Sequence, residues 1–193
     1  MAIPKLKEKD RFTYADYLAW SDEERWELID GETYDMSPGP GMRHQRLSAR
    51  LTAKMYAHLD GKPCQVFAAP LDVRPLATVD TPDNLVDTVV QPDLLVVCDE
   101  KKLEERGVVG APDLVVEILS PYTAHKDLTN KFNLYERAGV REYWVVFPEQ
   151  KIIQVFRLED GRYGRHQTVG TGDILEVPWL DELKLDLDSV FAE

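Results

Sequence analysis

The spacing of apolar residues along the chain changes several times, and each change marks an element. Between residues 42 and 59, Leu47, Leu51, Met55 and Leu59 recur at every fourth position with Arg, Gln and Lys between them. That period predicts an amphipathic helix, closed by Gly61. Upstream, Thr13 is placed to cap a short N-terminal helix over residues 14–20, and Ser21 with Glu24 resembles a capping box for a second turn. Residues 26–36 predict a hairpin, because Asp30-Gly31 stands between two short alternating arms, and the Pro- and Gly-rich stretch 37–41 ends it as a loop.

Farther along, continuous apolar runs replace the helical period. Val66, Phe67, Leu71 and Val73 predict a strand within residues 63–75, followed by a polar connection over 77–89. Gln91-Pro92-Asp93 opens the run 94–97, and Ala111-Pro112-Asp113 opens 114–119; both are rich in Val, Leu and Ile and predict strands buried on both faces. Residues 101–107 read as a helical or turn-like connector between them. A helix starting at Thr123 or Asp127 runs through Leu128, Phe132, Tyr135 and Ala138 to Gly139, which places Lys131 and Tyr135 on one face. Another buried strand follows at 142–147, then a meander over 152–158 and 163–168, and the alternation of 183–187 predicts an edge strand.

Composition adds bounds. With 193 residues, 44% of them hydrophobic and 30% charged, the chain is of a size and make-up for one domain over 1–193. No apolar run is long enough to span a bilayer and the N-terminus lacks an apolar export segment, so no membrane association and a cytoplasmic location are expected. Cys64 and Cys98 lack metal-ligand spacing and are expected as buried apolar fillers, not as a disulfide. A net charge of −12 opposes nucleic-acid binding, yet Arg43, His44, Arg46, Arg50 and Lys54 form a basic segment able to keep a local positive face.

The candidate chemistry lies on the two buried runs. A carboxylate inside such a strand needs a cation or several donors, so Glu117 must have a partner; a buried ion pair with Lys126 or Lys131 is the purely structural solution. Asp93 and Glu117 occupy matching places on consecutive runs, and Lys131 follows on the next helix. That order suits phosphodiester hydrolysis. A Mg²⁺ or Mn²⁺ ion takes one or two carboxylates, here Asp93 and Glu117, with the backbone carbonyl of Ile118 as a further oxygen. A lysine ammonium at the reacting water stabilises the charge that develops on phosphate.

The segments Trp26-Glu27-Leu28-Ile29-Asp30-Gly31-Glu32, Met36-Ser37-Pro38, Gln91-Pro92-Asp93, the stretch 110–121 and Lys131 through Trp144 together resemble the PD-(D/E)XK nuclease superfamily. More closely, they resemble the Uma-two family of restriction-endonuclease-like bacterial proteins, over nearly all of residues 14–146. The resemblance implies an α/β fold: a restriction-endonuclease-like core over about 42–147, a mixed β-sheet flanked by helices, with an N-terminal helix and hairpin and a C-terminal strand meander. It implies a metal-dependent endonuclease acting on nucleic acid, with DNA as the expected substrate and a homodimer for cutting two strands. Asp93 and Glu117 take the metal role. The superfamily's lysine usually stands two residues beyond the strand acid, where this chain has Leu119, so its role passes to Lys131. Glu32 matches an acid supporting a second metal or water, and His44 a histidine touching phosphate. Asp113 shares strand parity with Glu117 and sits near the site or caps the strand. The displaced lysine leaves two alternatives: a catalytically silent nucleic-acid-binding or assembly module, and hydrolysis of another phosphate ester.

Overall fold

The computed structural model describes residues 11–20, 25–36, 39–120 and 124–192. Helix α1 (Tyr14–Tyr17) begins where Thr13 donates from both its amide and its hydroxyl to Asp16 Oδ2, each at 2.8 Å. The turn expected at Ser21–Glu24 and the loop residues Ser37 and Pro38 lie outside the described residues. Strands β1 (Trp26–Ile29) and β2 (Glu32–Asp35) form the hairpin, turning through Asp30 at φ 53° and Gly31 at φ 79°. Two successive left-handed residues are what a two-residue turn between twisted strands requires.

Helix α2 (Met42–Leu59) buries Leu47, Leu51, Met55 and Leu59, the four residues of its apolar period. Strands β3 (Gln65–Ala68), β4 (Val73–Arg74), β5 (Leu94–Val97), β6 (Leu103–Glu104), β7 (Gly107–Val109) and β8 (Leu114–Ile118) follow. The 101–107 connector is more ordered than its polar sequence suggests: β6 pairs with β7, and β7 runs parallel to β4, making a small side sheet. Next come α3 (Ala124–Lys126), a π-helical turn (Asp127–Lys131) and α4 (Phe132–Ala138), which stops at Gly139 with φ 85°. The expected continuous α-helix is thus widened in its middle. There the Tyr143 hydroxyl donates to the Asp127 carbonyl at 3.0 Å, and a donor entering the helical ladder is a known cause of such bulges.

The chain ends in β9 (Glu142–Phe147), β10 (Ile152–Glu159), β11 (Arg162–Tyr163), β12 (Gln167–Gly170), β13 (Ile174–Val177), β14 (Leu183–Asp186) and α5 (Leu187–Phe191). Among the described residues the principal sheet has the order β11-β10-β9-β8-β5-β3, with β12 also paired to β10. It is mixed: β8 and β9 are parallel, whereas β3–β5, β5–β8 and β9–β10 are antiparallel. The 183–187 segment forms its own hairpin with β13 and does not edge this sheet.

Alternate residues of the central strands feed two cores, as the period of a strand dictates. Leu94, Val96, Val116, Trp144 and Val146 pack with α2 and the C-terminal hairpin; Leu95, Val97, Val115, Tyr143 and Val145 pack with Leu134 and Tyr135 of α4. Each fully buried Leu or Val contributes roughly 1.5–3 kcal/mol. Glu142 sits in this interior, accepting at 2.7 Å from the indole of Trp144 and at 2.7 Å from that of Trp179.

The cysteines depart from expectation, for Cys64 and Cys98 are joined in a disulfide. The cause is register: Gln65 pairs with Val97, so the next positions outward on these antiparallel strands are the two cysteines. Among the described residues, no helix is long and apolar enough to cross a membrane.

Candidate functional site

The β5–β8 ladder pairs Leu94 with Val116, and one step further it sets Asp93 opposite Glu117. Asp93 Oδ2 accepts the Ile118 amide at 2.7 Å, which ties the start of β5 to the end of β8. His44, in the first turn of α2, holds its Nε2 3.0 Å from the same oxygen. Glu117 Oε1 accepts from Lys131 Nζ at 2.8 Å and from the Tyr135 hydroxyl at 2.7 Å, so Lys131 and Tyr135 do share a face despite the π turn.

Lys131 is shared. Its ammonium lies 2.8 Å from Glu27 Oε1 and 3.8 Å from Asp127 Oδ1 as well. Glu27, carried in by β1, is a site residue that sequence reasoning missed, as is Asp127, read only as a helix start. Glu27 has no solvent exposure, takes Lys126 Nζ on its second oxygen at 2.6 Å, and accepts the Gln91 amide at 2.8 Å. A signal existed: Glu27 stands between Trp26 and Leu28, the same charge-within-apolar pattern that singled out Glu117.

His44, Asp93, Glu117, Ile118, Lys126 and Lys131 line a cavity of about 470 Å³. Glu32 does not join them. It sits exposed at the tip of the hairpin opposite Ile29, where its carboxylate accepts from the Tyr34 hydroxyl at 3.2 Å. Its place two residues toward the turn from the Glu27–Tyr34 pair carries it away from the cavity. Asp113 caps instead, accepting the Cys98 amide at 2.8 Å at the far end of β8 from Glu117.

Four carboxyl groups, Glu27, Asp93, Glu117 and Asp127, thus surround two ammonium groups, and with His44 neutral the cluster stays negative even when Glu117 carries its proton. The two lysine-bound glutamates respond in opposite directions. Burial pushes Glu117 up to about 8; Lys131 opposes that shift, and the nearby Asp127, Asp93 and Glu27 reinforce it. Burial also acts upward on Glu27, but Lys131 and Lys126 together hold it below the usual carboxylate value. Burial works against the charge of Lys131, yet Glu117, Glu27 and Asp127 outweigh it and keep the ammonium protonated.

Hard divalent cations suit this donor set. One oxygen of each strand carboxylate is taken, while Asp93 Oδ1 and Glu117 Oε2 accept no hydrogen bond from a described residue. Excess negative charge, two carboxylates and a neighbouring backbone carbonyl match Mg²⁺ or Mn²⁺, which retain several waters. Among the described residues, no three His, Cys, Asp or Glu side chains are grouped to hold a metal ion between them, so an ion here would rest on two carboxylates, a carbonyl and water.

A family model, Uma2, described as "Putative restriction endonuclease", matches residues 14–188. An uncharacterised protein of Synechocystis sp. is 30% identical over 161 residues, which cover 82% of this chain and 77% of that protein. The crystal structure of a DUF820 protein from Anabaena variabilis, described as a "putative nuclease", superimposes with a TM-score of 0.73 over 94% of this chain and 98% of that one. At 20% identity the likeness is one of fold.

Proposed function

The chain belongs to the Uma2 family, and from that membership we propose that it is a metal-dependent endonuclease hydrolysing phosphodiesters of nucleic acid, with DNA as the substrate. The observation that carries this reading is the approach of Asp93 to the end of β8, where its Oδ2 accepts the Ile118 amide at 2.7 Å beside Glu117, with Lys131 2.8 Å from Glu117. Asp93, Glu117 and the Ile118 carbonyl would hold Mg²⁺ or Mn²⁺, which supplies neutralisation of phosphate charge and a more acidic water.

The chain's own residues supply the rest. Lys131, held protonated by three carboxylates, serves as a fixed positive charge and proton donor toward the phosphoryl oxygens, not as a base. Tyr135 and Lys131 together fix one oxygen of Glu117 and so orient the other. His44 does the same for Asp93. Glu27 and Lys126 are positioning residues, because they act through Lys131 and Glu27 respectively. Water is the nucleophile, and cutting both strands of a duplex would take two copies related by a twofold axis.

Purified protein is expected to nick and linearise supercoiled plasmid with Mn²⁺ or Mg²⁺ and to stop in EDTA. Glu117→Ala and Asp93→Ala should each lower the rate by roughly 100-fold or more, the scale on which removing a charge-organising group acts. Cleavage by equally pure Glu117→Ala at the native rate would overturn the assignment. A silent binding module is the rival, favoured by Leu119 at the usual lysine position and by the close engagement of Lys131 with carboxylates. It predicts tight binding without turnover in any divalent metal.

A further inference from the structure

Helix α2 borders the cavity on one face only. His44 and Ser48, four residues apart, line it, whereas Arg43, Arg46 and Arg50, three and four apart, share the neighbouring face. Those arginines line a separate groove of about 170 Å³, completed by Lys151 and floored by Leu47, Pro148 and Phe191. The groove is held in shape from within the fold. Arg50 donates to the backbone carbonyls of Val190 and Ala192, and Arg43 reaches across to Glu149.

The charge of α2 is out of keeping with the rest of the chain. Its eighteen residues include Arg43, Arg46, Arg50 and Lys54 but no Asp or Glu, on a molecule whose net charge is −12. Such a face repels a second copy of itself, since pairing two α2 helices would bring cations against cations. It fits a polyanion. Arg43 to Arg50 spans about 10 Å along the helix axis at 1.5 Å per residue. At 3.4 Å per step of one strand, that is roughly three nucleotides.

Resting on the nuclease reading above, we propose that this groove holds the sugar-phosphate backbone flanking the scissile bond. A strand whose reacting phosphate occupies the cavity beside His44 continues over the N-terminal half of α2 onto Arg46, Arg50 and Lys151. The groove has no base-reading role; it contributes sequence-independent affinity and sets where along the strand the cavity acts.

The test is binding in EDTA, so that turnover cannot intrude, using a fluorescein-labelled 20-base-pair duplex and the single strand of the same length over a salt series. The variant is Arg46→Glu, chosen because Arg43 and Arg50 also serve the fold; Arg162→Glu on β11 is the control. We expect Arg46→Glu to melt like wild type yet to bind about fivefold or more weakly at low salt. Its slope of log K against log salt should be shallower by about 0.9 for duplex or 0.7 for single strand. Glu149→Gln, which releases Arg43, should bind more tightly. Binding and slope equal to wild type in Arg46→Glu would overturn the groove while leaving cavity chemistry intact. Conversely, weakened binding in Arg46→Glu of a protein that never cuts would sustain the groove and defeat the nuclease reading. Wild-type protein that binds neither nucleic acid would overturn the groove.

Discussion

Glu27 has no contact with solvent and two lysines within 2.8 Å, so its charge holds the cavity's cations in place before any substrate arrives. Removing one partner from a buried ion cluster strands the others. Glu27→Gln is therefore expected to lose roughly 3–5 kcal/mol of stability near neutral pH. The pH dependence has a definite sign. Because the folded-state value lies below the usual 4.5, the stabilisation by Glu27 is complete above that value and disappears as pH falls through the lowered one. Denaturant melts of wild type and variant should thus differ widely at about pH 7 and converge under acid; a gap that persists unchanged in acid would show that packing, not charge, is lost. Individual residues were legible where burial and charge conflict within a few positions. Asp93 and Glu117 stand out on that ground, and Lys131 by following them on the next helix. Glu27 carries the same conflict, but its lysines are about a hundred positions away in sequence, and the hairpin arms gave no sign of which face is covered. Glu32 is a candidate through the family resemblance alone, yet it stands beside the Asp-Gly turn, and a turn tip is where a carboxylate most easily stays in water.

Elements with a clear period or a clear punctuation mark were readable directly: α2 from its four-residue repeat, the hairpin from Asp30-Gly31, the end of α4 from Gly139. Features made by long-range pairing were not. Two-residue strands such as β4 and β6 carry too little pattern to announce a sheet, and the link between Cys64 and Cys98 follows from strand register, which spacing alone does not reveal. The π turn belongs to the same class, since the tyrosine hydroxyl bonded to its first carbonyl comes from another element. It also makes a prediction. The extra residue sets the rotation of Lys126 and Asp127 relative to Lys131 by about 100°, one residue's turn of helix. Deleting Thr129 should restore a regular α-helix, keep the far-ultraviolet circular dichroism, and abolish divalent-dependent cleavage by swinging Lys126 away from Glu27; cleavage at the native rate would show that the widened turn is incidental.

For the whole molecule, charge is the governing quantity. An acidic body with a surplus of carboxylates in its cavity gains most from a cation that binds the folded state alone. At a hundredfold excess over its dissociation constant, Mn²⁺ should add about 2.7 kcal/mol. For a chain of this length that raises the melting temperature by roughly 5–10 °C. Asp93→Asn should lose most of that rise in a calorimetric scan, and an equal rise in the variant would assign the ion to surface acids. One feature of the interior offers a way to watch such events. Trp144 of the main sheet and Trp179 beside the C-terminal hairpin lean on the single carboxylate of Glu142, while Trp20 and Trp26 lie 6.2 Å apart next to the strand that carries Glu27. The native fluorescence therefore has two separate sources: one dims or shifts when the C-terminal unit detaches, the other when the wall beside the cavity rearranges, and single Trp→Phe changes would let each be followed without any attached dye.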